Sequence, residues 1–308
     1  MIKSNKQVEL PPVDQFHLEQ FDLVSRHGRD ELAEQIKRDI DLWCQLQYDD
    51  GPRTHLGASI IGHPCERYIW FGFRWMFREV FSGRMQRLFQ RGHLEEDRVL
   101  SWLLGVGFTV NQVDIDGNQF RIAFAEGHGG GSSDGTTILP TRYGSRIAGQ
   151  RILVEIKTQK DKRFKILQGS GVEKEKPQHY VQMSVYGRRL GIQYCLYIAV
   201  NKEDDSLDVE LVELDWHLAD SETEKAERII NSHFPPPRIS ENPSFWKCKM
   251  CSANPVCHLG APIEKNCRSC YHAEPTDNKQ WHCSLYQQTI PPDFIPKGCE
   301  KWTQLARV

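Results

Sequence analysis

Four stretches of the chain carry apolar residues at three- and four-residue steps, the spacing of a helix with one buried face. They predict helices at residues 14–48, 83–104, 177–190 and 215–232. Short alternating or continuous apolar runs predict strands at 106–115, 119–125, 135–139, 151–158, 194–200 and 207–213. Between two of these strands, the glycine-rich residues 127–133 predict a tight turn. This order predicts an α/β fold in which helices flank a mixed central sheet.

The same pattern divides the chain into three parts. Residues 1–57 form a helical N-terminal segment, and residues 58–243 contain the predicted sheet. Three consecutive prolines, 235–237, end the core pattern. Residues 244–308 have a different character, dense in Cys, Pro, His and Trp, and we expect them to form a Cys-rich metal-binding region.

Composition narrows the class of protein. The 308 residues are 26% charged and 39% hydrophobic, as in a globular rather than a disordered protein. No apolar run approaches the roughly 18–20 residues that span a bilayer, so we expect no membrane partner. The first residues contain no apolar signal-peptide core, which favours the cytoplasm, of a bacterium or a phage-infected cell.

The net charge of −2 does not indicate a nucleic-acid binder, but its distribution is uneven. Residues 67–91 contain six arginines and one acid, and residues 157–176 contain seven basic residues and three acids. Such stretches can follow a phosphate backbone, and they can equally be solvated surface. They flank the most informative residues of the chain.

Those residues are carboxylates, a lysine and two further polar side chains spread in order over the middle third. In Glu155-Ile156-Lys157, the strand period of two places both charged side chains on one face of an apolar strand. Charged side chains are unusual on such an apolar strand, because buried charge is costly when unpaired. The acid and the lysine therefore indicate a functional or ion-paired site. The further members are Gly92-x3-Glu96 on a helix, Asp134-Gly135 after the glycine-rich stretch, and Gln182-x3-Tyr186 on another helix.

Carboxylates on neighbouring elements are the ligands that Mg²⁺ and Mn²⁺ prefer, and these ions can assist phosphodiester hydrolysis. We expect Asp134 and Glu155 to bind the metal, with the Ile156 carbonyl and either Glu96 or His93 completing the shell. Lys157 would orient or deprotonate the attacking water, or stabilise developing negative charge. Gln182 and Tyr186 share a helix face and would contact the substrate backbone or position Lys157.

The ordered pattern over roughly residues 58–215 resembles the PD-(D/E)XK nuclease superfamily, in its RecB-like and phage-exonuclease branch. The resemblance implies a restriction-endonuclease-like core, an Asp and a Glu that bind metal, and a lysine that assists catalysis. One departure is Ser133, which stands where the superfamily name has proline.

Ten cysteines without an export signal favour metal ligation over disulfides. Cys248-x2-Cys251-x5-Cys257 has metal-ligand spacing and lacks a fourth ligand, for which Cys65 is the candidate. The arrangement resembles the iron–sulfur nucleases of the same superfamily, of the AddB and CRISPR-associated Cas-four types. That resemblance implies a structural 4Fe–4S cluster, and Zn²⁺ is the alternative.

A second set follows, with Cys267-x2-Cys270, Cys283 and Cys299. Its spacing suits a structural Zn²⁺ ribbon or knuckle, for which His272 and His282 are competing ligands. Such a module could grip DNA, dock a protein partner or act as a stabilising cap. Cys44 and Cys195, both in apolar settings, remain as core thiols.

Together these patterns predict a Mg²⁺- or Mn²⁺-dependent deoxyribonuclease, an exonuclease on DNA ends or single strands in recombination, repair or phage DNA processing. One alternative is a non-catalytic nucleic-acid-binding module on a nuclease scaffold. Another is a DNA-binding protein that senses redox state through its cluster.

Overall fold

The computed structural model describes residues 25–113 and 120–305. Helices α1 to α4 are Arg26–Tyr48, Ala58–Ile61, Glu66–Phe73 and Gly83–Gly105. Helices α5 to α10 are Asp161–Ser170, Val172–Glu175, Pro177–Leu190, Trp216–Asn231, Trp246–Lys249 and Asn254–His258. Strands β1 to β6 are Leu56–Gly57, Val110–Asn111, Arg121–Phe124, Gly129–Ser132, Gly135–Ile138 and Arg151–Gln159. Strands β7 to β11 are Tyr194–Asn201, Leu207–Glu213, Ala273–Thr276, Gln280–Cys283 and Gln288–Thr289.

The described residues fall into two compact units. The first comprises those up to Gly51 together with Glu79–Glu95, and the second comprises Pro52–Arg78 and the residues from Glu96 onward. The first unit contains α1 and the beginning of α4. There Gly83 is required by close approach, because a Cβ atom at this position would lie 1.9 Å from the carbonyl oxygen of Asp41. The helix predicted over 14–48 is present from Arg26, and its residues 14–24 lie outside the described part.

The second unit is built on a five-stranded sheet with the order β2-β5-β6-β7-β8. Strands β6 and β7 run parallel, and the other neighbouring pairs are antiparallel. Helix α7 packs on α8, and both contribute to the core on one face of this sheet. The mixed α/β fold class that the sequence predicts is therefore confirmed.

The two faces of β6 meet different partners because its side chains alternate. Ile152, Val154 and Ile156 join a core cluster with Val99, Leu100 and Leu103 from the later turns of α4. Leu153 belongs to the cluster on the opposite face, which includes apolar residues of α7. Glu155 and Lys157 have the same parity as Leu153, so they leave the sheet on the α7 face.

The tight turn predicted at 127–133 is wrong for most of its length. Gly129–Ser132 form strand β4, which pairs antiparallel with β3 and parallel with β1. Glycine is needed here because a Cβ atom on Gly129 would lie 2.0 Å from the Phe124 ring. The high glycine content of this stretch suggested a turn. In the structure, glycine is required because other side chains and strands approach the backbone of β4 closely.

Of the helices that the structure describes, six lie where the sequence analysis placed none, namely α2, α3, α5, α6, α9 and α10. Helix α3 carries Trp70, Phe71 and Phe73, which are buried, so these aromatic residues belong to the core. Helix α5 follows β6 directly and buries only Phe164 and Leu167.

The Cys-rich residues build a small antiparallel sheet with the order β11-β10-β9. Trp281 of β10 and Ile290, the residue after β11, belong to the same buried cluster as apolar residues of α3 and α7. Within the described part of the chain, no helix is long and apolar enough to cross a membrane.

Candidate functional site

Strand β6 places a carboxylate and an ammonium group side by side. Glu155 is 1% exposed, and its Oε1 lies 2.5 Å from Nζ of Lys157. Lys157 also donates to the carbonyl oxygen of Ile156 at 3.2 Å. Burial alone would lower the pKa of Lys157, but the charges of Glu155 and Asp134 outweigh it and raise the pKa above its usual value. Lys157 is therefore an ammonium at neutral pH.

Asp134 joins this pair from the connection between β4 and β5. Its Oδ2 accepts a hydrogen bond of 2.8 Å from the backbone N–H of Ile156, and it lies 3.8 Å from Nζ of Lys157. Burial first, then the charges of Glu155 and Glu96, raise the pKa of Asp134 to about 7, while Lys157 opposes the shift. The pairing of β5 with β6 fixes this approach, since Gly135 lies opposite Val154.

Glu96 reaches the same site from α4. Its charge raises the pKa values of both Asp134 and Lys157, after the larger effects of burial and of Glu155. Three carboxylates therefore face one ammonium group. His93 lies on the same helix, one turn earlier and within the first unit, and its side chain is exposed.

Gln182 and Tyr186 lie on α7 and are 8% and 3% exposed. Nε2 of Gln182 donates to the Tyr186 hydroxyl at 3.2 Å. Burial and then the charge of Glu155 raise the pKa of Tyr186 above its usual value. Their burial favours positioning of the site over direct contact with a substrate.

Two residues near the site were missed by the sequence analysis. Tyr197 lies opposite Glu155 in the β6–β7 register, and its hydroxyl is 3.0 Å from Nδ1 of His179. Burial first, then the charges of Lys157 and Lys176, lower the pKa of His179 to about 3. The signal was present in the sequence, because His179, Gln182 and Tyr186 are spaced three and then four residues apart on one helix.

Two arginines of the first basic stretch, residues 67–91, make hydrogen bonds to backbone carbonyl groups within the protein. Arg74 is fully buried and donates to the carbonyl oxygens of Ala273 and Ser232. Arg67 donates to the carbonyl oxygen of Pro236 at 2.6 Å. These two arginines hold the core together and do not supply an exposed track for phosphates. In the second stretch, Lys160 and Lys162 are exposed. Lys160 directly precedes α5, and Lys162 lies in its first turn.

The first cysteine set lines one small pocket. Cys65 comes from the residue before α3, and Cys248, Cys251 and Cys257 come from α9, α10 and the turn between them. The pocket has a volume of about 30 Å³ and is also lined by His63 and His258, which the sequence analysis did not consider. Burial, followed by the charges of Cys65 and Cys257, raises the pKa of Cys248.

The second cysteine set lines another pocket, of about 290 Å³. Cys267, Cys270, Cys283 and Cys299 all lie on its wall, together with His272. Burial and the charges of the other three thiols, Cys299 first, raise the pKa of Cys267 to about 11. The spacing within each set is thus matched by convergence in space. His282 does not line this pocket.

The side chains of the carboxylate site and of the two cysteine sets converge, but they do not form a complete metal site. Across residues 25–113 and 120–305, no three His, Cys, Asp or Glu side chains already stand in the arrangement that holds an ion.

No protein-family model matches the sequence, and no curated protein matches it. Similar solved structures include the alkaline exonuclease LHK-Exo of Laribacter hongkongensis, with a TM-score of 0.40, 18% identity, and coverage of 58% of this chain and 87% of that one. LHK-Exo in complex with dAMP matches with a TM-score of 0.39 and 17% identity over 57% and 86% of the two chains. SSO0001 matches with a TM-score of 0.37 and 15% identity over 67% and 86%.

Proposed function

We propose that this protein is a metal-dependent deoxyribonuclease whose active site is formed by Asp134, Glu155, Lys157 and Glu96. The observation that carries the proposal is the excess of carboxylates over ammonium groups at the buried Glu155. Three carboxylates converge on one ammonium group, and the pKa of Asp134 is raised to about 7 as a result of burial and of its acidic neighbours. A structural ion pair would balance its charges, whereas a site for a divalent cation needs such an excess.

The residues present fit Mg²⁺ or Mn²⁺, because their donors are hard oxygen atoms. Asp134 and Glu155 would hold the ion, with Glu96 and the Ile156 carbonyl as further donors. When bound, the ion would supply a Lewis acid at the phosphate group.

Lys157 stabilises negative charge in this proposal. Its raised pKa makes it a poor acceptor of a proton in the metal-free site, which favours a role in orienting water and stabilising charge over deprotonation. Gln182 and Tyr186 act behind it as buried positioning residues, consistent with their mutual hydrogen bond.

The substrate we propose is DNA with free ends or single strands, and the exposed lysines around the start of α5 offer positive charge directly after the catalytic strand. The cellular role would be recombination, repair or phage DNA processing in the cytoplasm.

We propose that Cys65, Cys248, Cys251 and Cys257 hold a metal centre that fastens the residues before α3 to those of α9 and α10. A 4Fe–4S cluster suits four thiolates at this spacing, and Zn²⁺ is the alternative. Metal analysis and visible absorption of anaerobically purified protein distinguish the two.

The activity is tested by incubating the full chain and Mn²⁺ with end-labelled linear and circular DNA, single- and double-stranded. We expect cleavage by the wild type and its loss in Glu155→Ala. Glu224→Ala, which removes an exposed carboxylate of α8, is the matched control and should cleave normally. If wild type and Glu155→Ala bind DNA and leave equal amounts intact, the protein is a non-catalytic nucleic-acid-binding module.

A further inference from the structure

The second cysteine pocket has no part in the proposed cleavage chemistry, yet it is joined closely to the core of the second unit. Its four thiols come from three places in the sequence: the turn Cys267–Cys270, the end of β10, and the segment that follows the last proline. We infer that Cys267, Cys270, Cys283 and Cys299 form a structural Zn²⁺ site that fixes the buried side chain of Arg268 in the core.

The backbone around the first two thiols has the form of a metal-binding turn. The N–H of Cys270 donates to the carbonyl oxygen of Cys267 at 3.0 Å, and Asn266 and Ser269 close the loop through side-chain hydrogen bonds. Such a turn directs two thiols toward one point, as in ribbon and knuckle sites.

The other two thiols are brought to this turn by strand pairing. Cys283 ends β10 and lies opposite Ala273 in β9. Residues after Cys299 return to the turn, where Cys270 pairs with Gln304 and the N–H of Tyr271 donates to the carbonyl oxygen of Thr303. Four sulfur donors on one pocket wall match the ligand set of a structural Zn²⁺ ion.

The elements involved are short. Strands β9 and β10 have four residues each, and β11 has two. Small sheets of this kind bury little apolar surface, and a metal is a common source of the missing stability. Binding of Zn²⁺ would release the thiol protons to the solvent, and the bonds between the metal and the thiolates would supply the driving force.

Arg268 connects the pocket to the core because it lies between the two turn cysteines. It is 2% exposed and donates to the carbonyl oxygens of Phe73 and Thr54. Its guanidinium carbon lies 4.2 Å from the centre of the Trp75 ring and 4.9 Å from that of Trp281. Asn266 adds a hydrogen bond of 2.9 Å to the carbonyl oxygen of Trp75. A metal that fixes the turn therefore also fixes this arginine among tryptophans.

The inference is tested on the full chain by metal analysis, with Cys270→Ser and Cys283→Ser as variants. We expect each variant to lose about one Zn²⁺ per chain relative to wild type. Cys44→Ser is the matched control, because Cys44 is a buried thiol outside both sets, and it should keep the wild-type metal content. His272→Ala should also keep it if four cysteines are the ligands.

Wild-type protein provides a second measurement if the variants do not fold. Titration with a mercurial reagent should release Zn²⁺ and change the near-ultraviolet circular dichroism of the tryptophans around Arg268. Replacement of the metal by Co²⁺ should give the visible bands of a tetrahedral thiolate site. Wild type without Zn²⁺, iron in its place, two disulfides by mass, or unchanged Zn²⁺ in soluble second-set variants would each overturn the inference.

Discussion

The second unit contains two clusters of charged side chains, and we assign a structural role to one and a metal-binding role to the other. In one, Arg74 and Arg268 are 0% and 2% exposed and carry only positive charge. In the other, Asp134, Glu155 and Glu96 face the single ammonium of Lys157. Both clusters hold like charges close together, which is costly in a protein interior.

The two guanidinium groups find partners for their terminal nitrogen atoms, whereas both Nε atoms are buried without a hydrogen-bond partner among the described residues. Each guanidinium donates to two backbone carbonyl oxygens, and both lie over the ring of Trp281. Burial lowers the pKa of Arg74 to about 10, while burial and Arg74 lower the pKa of Arg268 to about 9. Both remain charged at neutral pH, so carbonyl dipoles and aromatic faces are sufficient partners.

The carboxylate cluster is not satisfied in the same way. Burial first, and then the charges of Glu155 and Glu96, raise the pKa of Asp134, and Lys157 offsets this only in part. Guanidinium groups held by backbone carbonyl oxygens and aromatic rings indicate a structural role, whereas several carboxylates around one ammonium group favour a cation site. The comparison predicts that substitutions in the two clusters affect different properties.

The largest effect is expected from Asp134→Asn. Loss of one metal-binding carboxylate should reduce DNA cleavage by about 10³-fold in the presence of Mn²⁺. The unfolding free energy in metal-free buffer should stay constant or rise, because the amide oxygen can still accept from Ile156 and one like charge is removed. Cleavage rates and urea unfolding measure the two properties. A large loss of stability with normal cleavage would reverse the assignment of the clusters.

Arg268→Ala should have the opposite profile. It leaves the carbonyl oxygens of Phe73 and Thr54 without this donor and opens a cavity among aromatic rings, at a cost of about 3 kcal/mol in unfolding free energy. Arg189→Ala, at an exposed arginine of α7, should change it by no more than about 0.5 kcal/mol. Equal effects of the two substitutions in urea unfolding would show that the buried cluster is not structural.

The sequence predicts much of the carboxylate cluster and none of the arginine cluster. Strand β6 was predicted because a long apolar run is a strong signal, and the parity of Glu155 and Lys157 followed from it. Helix α5 was missed because its residues are mostly polar and only two are buried. Strand β4 was missed because contacts with distant residues, and not local propensity, determine its glycines.

The arginine cluster could not be predicted at all. Arg74 and Arg268 are 194 positions apart by their numbers, and both have the composition of surface residues. In the same way Tyr197 joins the carboxylate site only through the β6–β7 register. Spacing grouped the nearby cysteines, while the pairing of Cys65 with a trio late in the chain came from a family resemblance.

Gly131→Ala should disturb the carboxylate site indirectly, by displacing the side chain of Tyr186. A Cβ atom here would lie 2.6 Å from the Tyr186 hydroxyl oxygen and 3.2 Å from Cβ of Ala58. Moving Tyr186 should lower the unfolding free energy by about 2 kcal/mol, and cleavage should fall with it. In the control Gly72→Ala, no atom beyond the chain neighbours and the backbone of the same helix lies within 4 Å of the new Cβ among the described residues, so stability should be unchanged or slightly higher. Wild-type stability in Gly131→Ala would show that the Tyr186 hydroxyl moves freely.

The smallest effect concerns His179, which lies beside the carboxylate site and carries no charge at neutral pH. Its folded pKa of about 3 is below the unfolded value of about 6.5, so its contribution to stability is complete above pH 6.5 and is lost as pH falls toward 3. Between pH 7.5 and 5.0, wild type should lose on the order of 1 kcal/mol more unfolding free energy than His179→Gln, after allowance for solvent screening. His217→Gln, at an exposed histidine, should follow the wild type in the same urea titrations. If His179→Gln and wild type lose equal stability, the imidazole is protonated in the folded protein, and positive charge beside Lys157 is tolerated there.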